Sequence, residues 1–228
     1  KELAYEDKAR MPNFYLKNDE IDALVIALLG FNDDKVGASL LSESYISDKQ
    51  IYEGNKLIIN KNCQGCHIID EIGGHIAENY SAPEYAPPNL NTEGAKVQPE
   101  WVFNWFHNPY TIRPNLQVRM PSFNMTDTEW NVIIKAFQNR ENELLNFASD
   151  LKFDKTSKKF KAGAKLHELG ACNNCHFYGN EFPKQEAQTW APNMALTKER
   201  LQPEWVIEWL RDPQNIMPGT KMPAPYLR

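Results

Sequence analysis

The sequence predicts a mostly α-helical protein made of two related domains in tandem. The first observation is an internal repeat, in which "VQPEWVFNWFHNP" at residues 97–109 returns as "LQPEWVIEWLRDP" at 201–213 without a gap. The second is helical spacing of apolar residues beside capping signals, with no convincing alternation of period two. A chain of 228 residues is long enough for one large domain or two small ones.

Helix signals stand at matching places in the two copies. Ser47 and Gln50 form a capping-box pattern at the start of "SDKQIYEGNKLIINKNCQGCH", whose counterpart is "AGAKLHELGACNNCH". Each "QPEW" places a proline in the first helical turn, where it is favoured. Thr126 and Glu129 form a further capping box before an apolar run. These segments are therefore predicted to be helices.

Composition excludes some classes of protein. The net charge of −5 argues against non-specific binding of nucleic acid. The longest apolar run, "ALVIALLGF", is too short to cross a bilayer, which needs about 20 residues. The opening "KELAYEDKAR" is too charged for a signal peptide, so we expect a processed chain or an internal part of a longer one.

All four cysteines fall in two C-x-x-C pairs, and a histidine directly follows each pair. These residues are Cys63, Cys66 and His67 in the first motif and Cys172, Cys175 and His176 in the second. A zinc ribbon would need the two pairs to converge on one metal, although more than 100 residues separate them. A thioredoxin-like redox motif would need a βαβ context, whereas the flanks here have helix and loop patterns. The third interpretation, which we favour, is covalent attachment of haem, whose signature is C-x-x-C-H.

The C-x-x-C-H spacing has a physical reason. Two vinyl groups on one edge of the haem ring each accept a thiol, so the cysteines must lie about one helical turn apart on one face. The next residue then directs its imidazole at the iron from the same side. We therefore predict two covalently attached haem c groups, with His67 and His176 as the proximal ligands.

The internal repeat indicates the second axial ligand of each haem. "PPNL" and "APNM" precede the two "QPEW" segments, and "IRPNLQVRMPSF" and "IMPGTKMPAP" follow them. This alignment pairs Met120 with Met222, each followed by proline and each about 50 residues after its motif. Methionine sulfur is soft and suits haem iron, and His/Met ligation raises the reduction potential.

The other methionines and histidines have weaker claims to the iron. Met217 also precedes a proline, but it aligns with Arg113. The remaining candidates, for which we expect surface or packing roles, are Met125, Met194, His75, His107 and His167.

Both repeats resemble class I cytochrome c domains, and "PGTKMP" is similar to the distal-ligand loop of mitochondrial-type cytochromes c. The resemblance covers nearly the whole chain, as a tandem di-haem cytochrome c. It implies that helices enclose each haem and that the ligand pairs are His67 with Met120 and His176 with Met222. It also implies a periplasmic or extracellular location, since haem c is attached outside the cytoplasm.

A haem with two protein ligands has no open site for a substrate, so we expect an electron-transfer protein and not an enzyme. Its partners would be an electron donor and an electron acceptor in a respiratory or related chain. Two alternatives remain open. One is a di-haem peroxidase-like enzyme in which a methionine dissociates, and the other is a cytochrome subunit fixed in a larger redox complex.

The alignment also predicts the domain organisation. "RMPNFYLKNDEIDALVIALLG" near the start resembles "RMPSFNMTDTEWNVIIKAFQN" at an offset of 109, so Met11 aligns with Met120. The predicted segments are a partial domain end at 1–31, a linker at 32–46, the first haem domain at 47–146, a linker at 147–157 and the second haem domain at 158–228.

The helix that should follow Met222 is missing from the second domain, since the chain stops at "KMPAPYLR". An exposed haem and apolar core would be costly. We expect the chain to be part of a longer tandem array, beginning inside one repeat and ending inside another. The alternative is that the first helix, from about Asn18 to Leu29, docks where the last helix is missing, within the chain or in a neighbouring copy.

Overall fold

The computed structural model describes residues 16–30, 48–82, 85–113, 116, 118–140, 154–183, 186 and 189–222. The helices within these ranges are α1 (Asn18–Gly30), α2 (Asp48–Asn60), α3 (Glu93–Lys96), α4 (Pro99–His107), α5 (Asp127–Arg140), α6 (Lys158–Leu169), α7 (Thr197–Arg200), α8 (Pro203–Arg211) and α9 (Pro213–Ile216). The prediction of a mostly helical protein is confirmed. The predictions about Met11, Ser47, Pro223 and the linker at 32–46 concern residues outside the described ranges.

One short hairpin interrupts the helical pattern after the first C-x-x-C-H motif. Strands β1 (Ile68–Ile69) and β2 (Ile72–Gly73) pair antiparallel, with Ile68 opposite Gly73. The turn residues Asp70 and Glu71 have φ of 55° and 60°. Positive φ at both central residues is the feature of a type I′ turn. Two-residue strands are too short to show alternation, so the sequence did not predict this hairpin.

The described residues group into two compact units that do not follow chain order. The first unit takes its described residues from 1–31, 147–172 and 203–228, and the second takes them from 32–146 and 173–202. Residues 173–202 thus lie in the second unit, together with the predicted first haem domain, although the sequence assigns them to the second haem domain. The domain boundaries drawn from the sequence stay predictions.

In the second unit, α2 packs against α5. A Cβ atom at Gly54 would overlap the carbonyl oxygen of Val132 and lie 2.8 Å from Cβ of Ala136, so only glycine allows the two helices to approach this closely. Ile58 and Phe103, each 1% exposed, belong to the apolar cluster that this packing encloses.

The predicted capping box at the start of α5 is confirmed. The main-chain N–H of Thr126 donates to the Glu129 carboxylate at 2.8 Å, and the Glu129 N–H donates to Oγ1 of Thr126 at 3.3 Å, which is the reciprocal capping box. Trp101 stacks on Trp105 within α4, with ring centroids 6.1 Å apart. The tryptophans of α8, four residues apart in the same way, stack at 4.8 Å in the first unit.

In the first unit, α1 packs against α6. A Cβ atom at Gly163 would overlap the carbonyl oxygen of Ala23 and lie 2.9 Å from Cβ of Ala27. Most of α1 is buried, and Val25 and Ala27 are fully inaccessible to solvent. The segment from Ile21 to Leu28 therefore contributes most of its side chains to the core of the unit.

The α6–α1 and α2–α5 pairs are the same packing at equivalent positions. Gly163 corresponds to Gly54, and Ala27 corresponds to Ala136, at the offset of 109 that relates the sequence copies. Helix α1 thus has the place beside α6 that α5 has beside α2. This packing corresponds to the docking alternative set out above, and the expectation of a longer tandem array stays a prediction.

None of the helices in the described ranges combines the length and the apolar composition that a membrane crossing would need.

We predict that Gly163→Ala destabilises the protein by about 1–3 kcal/mol, because the added methyl group forces α1 away from α6. The better helix propensity of alanine offsets only about 1 kcal/mol of this cost. Chemical unfolding measures the effect. The matched control is Lys161→Ala at an exposed position of the same helix, which should change stability by less than about 0.5 kcal/mol. Equal stability of the two variants would show that α1 does not pack here.

Candidate functional site

The first C-x-x-C-H motif forms a tight turn directly after α2. Residues Cys63–Gly65 are a 3₁₀ turn, entered through Asn62 in the left-handed region with φ of 54°. The N–H of Cys66 and the N–H of His67 both donate to the carbonyl of Cys63, at 3.2 and 2.9 Å. The turn therefore holds the two thiols and the imidazole within five residues, as covalent haem attachment requires.

The ring of His67 is oriented by a main-chain acceptor. Its Nδ1 lies 2.8 Å from the carbonyl oxygen of Pro88. A carbonyl accepts only, so Nδ1 carries the proton and Nε2 keeps the lone pair that binds a metal. Burial lowers the pKa of His67, which favours this neutral form. The "PPNL" loop is itself fixed, since the Leu90 N–H donates to the Ile68 carbonyl at 2.9 Å.

His176 and the loop that orients it repeat this geometry within the second unit. Nδ1 of His176 lies 2.9 Å from the carbonyl oxygen of Pro192. The Met194 N–H donates to the Phe177 carbonyl at 2.8 Å, as Leu90 does to Ile68. Both histidines are therefore held in the same tautomer by the same kind of loop.

Sequence reasoning used "PPNL" and "APNM" only as alignment markers and missed their role. Besides the proline carbonyls, each loop contains an asparagine that caps the chain that follows. Oδ1 of Asn89 accepts from the N–H of Asn91 at 2.8 Å, and Oδ1 of Asn193 accepts from the N–H of Ala195 at 3.0 Å. The repetition of Pro-Asn at one distance before each "QPEW" was the signal that could have shown this role.

All four motif cysteines are half-buried thiols, not disulfides. Burial raises the pKa of the Cys63 thiol. Within the ranges that the structure describes, no three His, Cys, Asp or Glu side chains are grouped as a metal site of those residues would need.

The two predicted methionine ligands have different surroundings. Met120 is half-buried in the irregular segment before α5. Met222 lies in the first unit, where its sulfur accepts a hydrogen bond from Nε1 of Trp209 at 2.7 Å. His176 belongs to the second unit. The pairings of His67 with Met120 and of His176 with Met222 stay predictions from the sequence.

The remaining histidines and methionines have structural contacts, as expected. His107 bonds through Nδ1 to the Phe103 carbonyl at 2.8 Å and through Nε2 to Asp127 at 2.9 Å. His167 and Met194 are buried, Met125 packs against the apolar cluster of the second unit, and His75 is exposed beside Glu78.

The donor atoms of the first motif fit a haem c. Two thiols stand one turn apart, a neutral imidazole has Nε2 available for iron, and the soft sulfur of Met120 follows in the same unit. Thiolate chemistry at vinyl groups and N/S ligation of iron need this combination of residue types. The second motif presents the same imidazole arrangement at His176.

Residues 51–135 match the family model for cytochrome c. The matched residues include the first C-x-x-C-H motif, Met120 and more than half of α5. The match supports a cytochrome c domain in this part of the chain, and such a domain implies covalently bound haem c and electron transfer.

The chain is also similar to the cytochrome c oxidase subunit 2 of Bacillus subtilis (strain 168), with 33% identity over 100 residues. This match covers 40% of the chain and only 27% of the length of that relative. No solved structure matches the chain.

We predict that His107 stabilises the fold in a pH-dependent way. Its hydrogen bond to the Phe103 carbonyl and its contact with Asp127 raise the pKa of His107. A raised pKa in the folded state adds stability below the unfolded value of about 6.5, and that stability is lost as pH rises through the folded pKa. The melting-temperature difference between wild type and His107→Gln should therefore be larger near about pH 5.5 than near about pH 9. In an Asp127→Asn background the pH trend should shrink, and a trend of opposite sign would contradict the assignment.

Proposed function

We propose that the chain is a di-haem c-type cytochrome that carries single electrons between redox-partner proteins. One observation carries the proposal: in both C-x-x-C-H motifs, Nδ1 of the histidine is bonded to a proline carbonyl, at 2.8 and 2.9 Å. This bond leaves the lone pair on Nε2 of each histidine, which would bind an iron.

The residues of each motif have distinct roles in this proposal. Cys63 and Cys66 hold one ring covalently, and Cys172 and Cys175 hold the other. Covalent attachment keeps the haem in place through repeated changes of charge on the iron. The bound haem supplies a one-electron couple, whose potential the protein sets through ligands, burial and hydrogen bonds.

Methionine ligation supports an electron carrier over an enzyme. Met120 and Met222 would hold the irons together with His67 and His176, which would leave no coordination site for a substrate. An electron can still enter and leave through the haem edge. The chain would then connect a donor protein to an acceptor protein in a respiratory or related chain.

A second assembly has one specific observation in its favour. The similarity to an oxidase subunit 2 suggests a cytochrome fixed in a larger redox complex, not a free carrier. The electron-transfer chemistry is the same in both cases. Because haem c is attached outside the cytoplasm, we propose a periplasmic or extracellular location for either assembly.

We expect two covalent haems per chain. The pyridine haemochrome assay and intact mass of the mature protein count them directly. Replacing Cys172 and Cys175 by serine should leave one haem, and replacing Cys63 and Cys66 should leave the other. A wild-type mass with a single haem, or cysteines shown to bind zinc, would reject the di-haem proposal.

We expect Met222→His to lower the reduction potential of one haem and to leave the other nearly unchanged, since a second histidine replaces the sulfur that raises the potential. A potentiometric titration followed by absorbance resolves the two haems. Met217→Leu is the matched control, because Met217 lies five residues away and is not assigned to iron. If neither potential moves in Met222→His, Met222 is not a ligand.

A further inference from the structure

The two sequence copies pair with each other inside the second unit. Val97 and Leu201, equivalent residues of the copies, form an antiparallel bridge. The Gln98 N–H donates to the carbonyl of Arg200 at 2.8 Å, and the Gln202 N–H donates to the carbonyl of Lys96 at 2.9 Å. Each copy thus gives the other the same contact, as in an interface with two-fold symmetry.

Three charged side chains, Glu93, Lys96 and Arg200, form an ion cluster beside this pairing. Glu93 contacts Nζ of Lys96 at 2.8 Å through Oε2, and it contacts Nη2 of Arg200 at 3.6 Å through Oε1. The three side chains are only 12–16% exposed. The guanidinium of Arg200 also lies over the ring of Trp101, 5.3 Å from its centroid. One copy supplies Glu93 and Lys96, whereas the other supplies Arg200.

The ion cluster is tied to the first C-x-x-C-H motif by a short chain of hydrogen bonds. The Glu93 N–H donates to the Leu90 carbonyl at 3.1 Å, and the Leu90 N–H donates to the carbonyl of Ile68, the residue after His67. Two main-chain hydrogen bonds therefore connect the ion cluster to the residue that follows the proximal histidine.

The cluster is asymmetric although the pairing is symmetric. Lys96 and Arg200 are equivalent in the two copies, so both copies supply a cation. The equivalent of Glu93 is Thr197, whose hydroxyl donates to the sulfur of Met194 at 3.6 Å. Of the two sequence copies, the first alone contributes a carboxylate to the cluster.

We propose that the ion cluster sets the reduction potential of the haem held by Cys63, Cys66 and His67, so that Arg200 of the second copy acts as a positioning and charge-bearing residue for the haem of the first. Reduction adds one electron at the iron, and buried charges act on it strongly because solvent screens them poorly. A cation favours the reduced haem and a carboxylate favours the oxidised haem. This inference rests on haem attachment at the first motif.

The test is a potentiometric titration of the haem-loaded protein and its variants. Arg200→Gln should lower the potential of the first haem, and Glu93→Gln should raise it. A shift of about tenfold in the ratio of oxidised to reduced haem is expected for each, which is about 59 mV for one electron. Arg200→Lys keeps the charge and should restore most of the wild-type value.

Two choices keep the result interpretable. The titrations are made at about pH 6, because burial lowers the pKa of Lys96 and a lower pH favours its charged form. The same titrations are repeated in a Met222→His background, in which the potential of the second haem is shifted. The potential that this background leaves unchanged belongs to the first haem. Glu78→Gln and Lys56→Met change charge at exposed positions of the same unit and should leave both potentials nearly unchanged.

Shifts of opposite sign in Arg200→Gln and Glu93→Gln support the proposal. Shifts in the same direction, as loosened packing would produce, would overturn the proposal. The absence of any shift in folded, haem-loaded variants would also overturn it. If Arg200→Gln does not fold, Lys96→Met gives the same expected fall in potential. A wild-type protein without haem at the first motif would instead refute the proposed function, so the two failures are distinguishable.

Discussion

The hydrogen bond from a histidine Nδ1 to a proline carbonyl is the constraint on which the site depends. A C-x-x-C-H sequence places thiols and an imidazole on one turn, but it leaves the ring free to rotate and to exchange tautomers. The bonds from His67 to Pro88 and from His176 to Pro192 remove that freedom. Each loop must then be held at its own place, which the main-chain bond from Leu90 to Ile68 does in the first copy.

Much of this arrangement could be predicted from spacing alone. The capping box at Thr126 and the shared face of Trp101 and Trp105 follow from local spacing, and the equivalence of Gly54 with Gly163 follows from the repeat offset of 109. Two features could not be predicted. The hairpin at Asp70 is too short to show a period, and the pair Glu93–Arg200 depends on how the copies meet. The packing of α1 on α6 was one of two alternatives, because local patterns do not show which distant segments pack together.

The same packing solution is used twice, once in each unit. A glycine in the helix before each motif allows a second helix to approach at backbone distance, α5 in one unit and α1 in the other. In the second unit, α5 follows α2 in the chain, whereas in the first unit α1 precedes α6. Sequence order therefore misleads about which segments share a core, although the repeat offset identifies the correct pair.

The most direct measurement is an experimental structure of the haem-loaded protein. The account predicts two haems, one bonded to Cys63 and Cys66 and the other to Cys172 and Cys175. In each, the histidine should bind iron through Nε2 while Nδ1 remains on its proline carbonyl. A motif without haem, or a motif histidine whose Nδ1 has left the carbonyl of Pro88 or Pro192 to face the iron, would contradict the account.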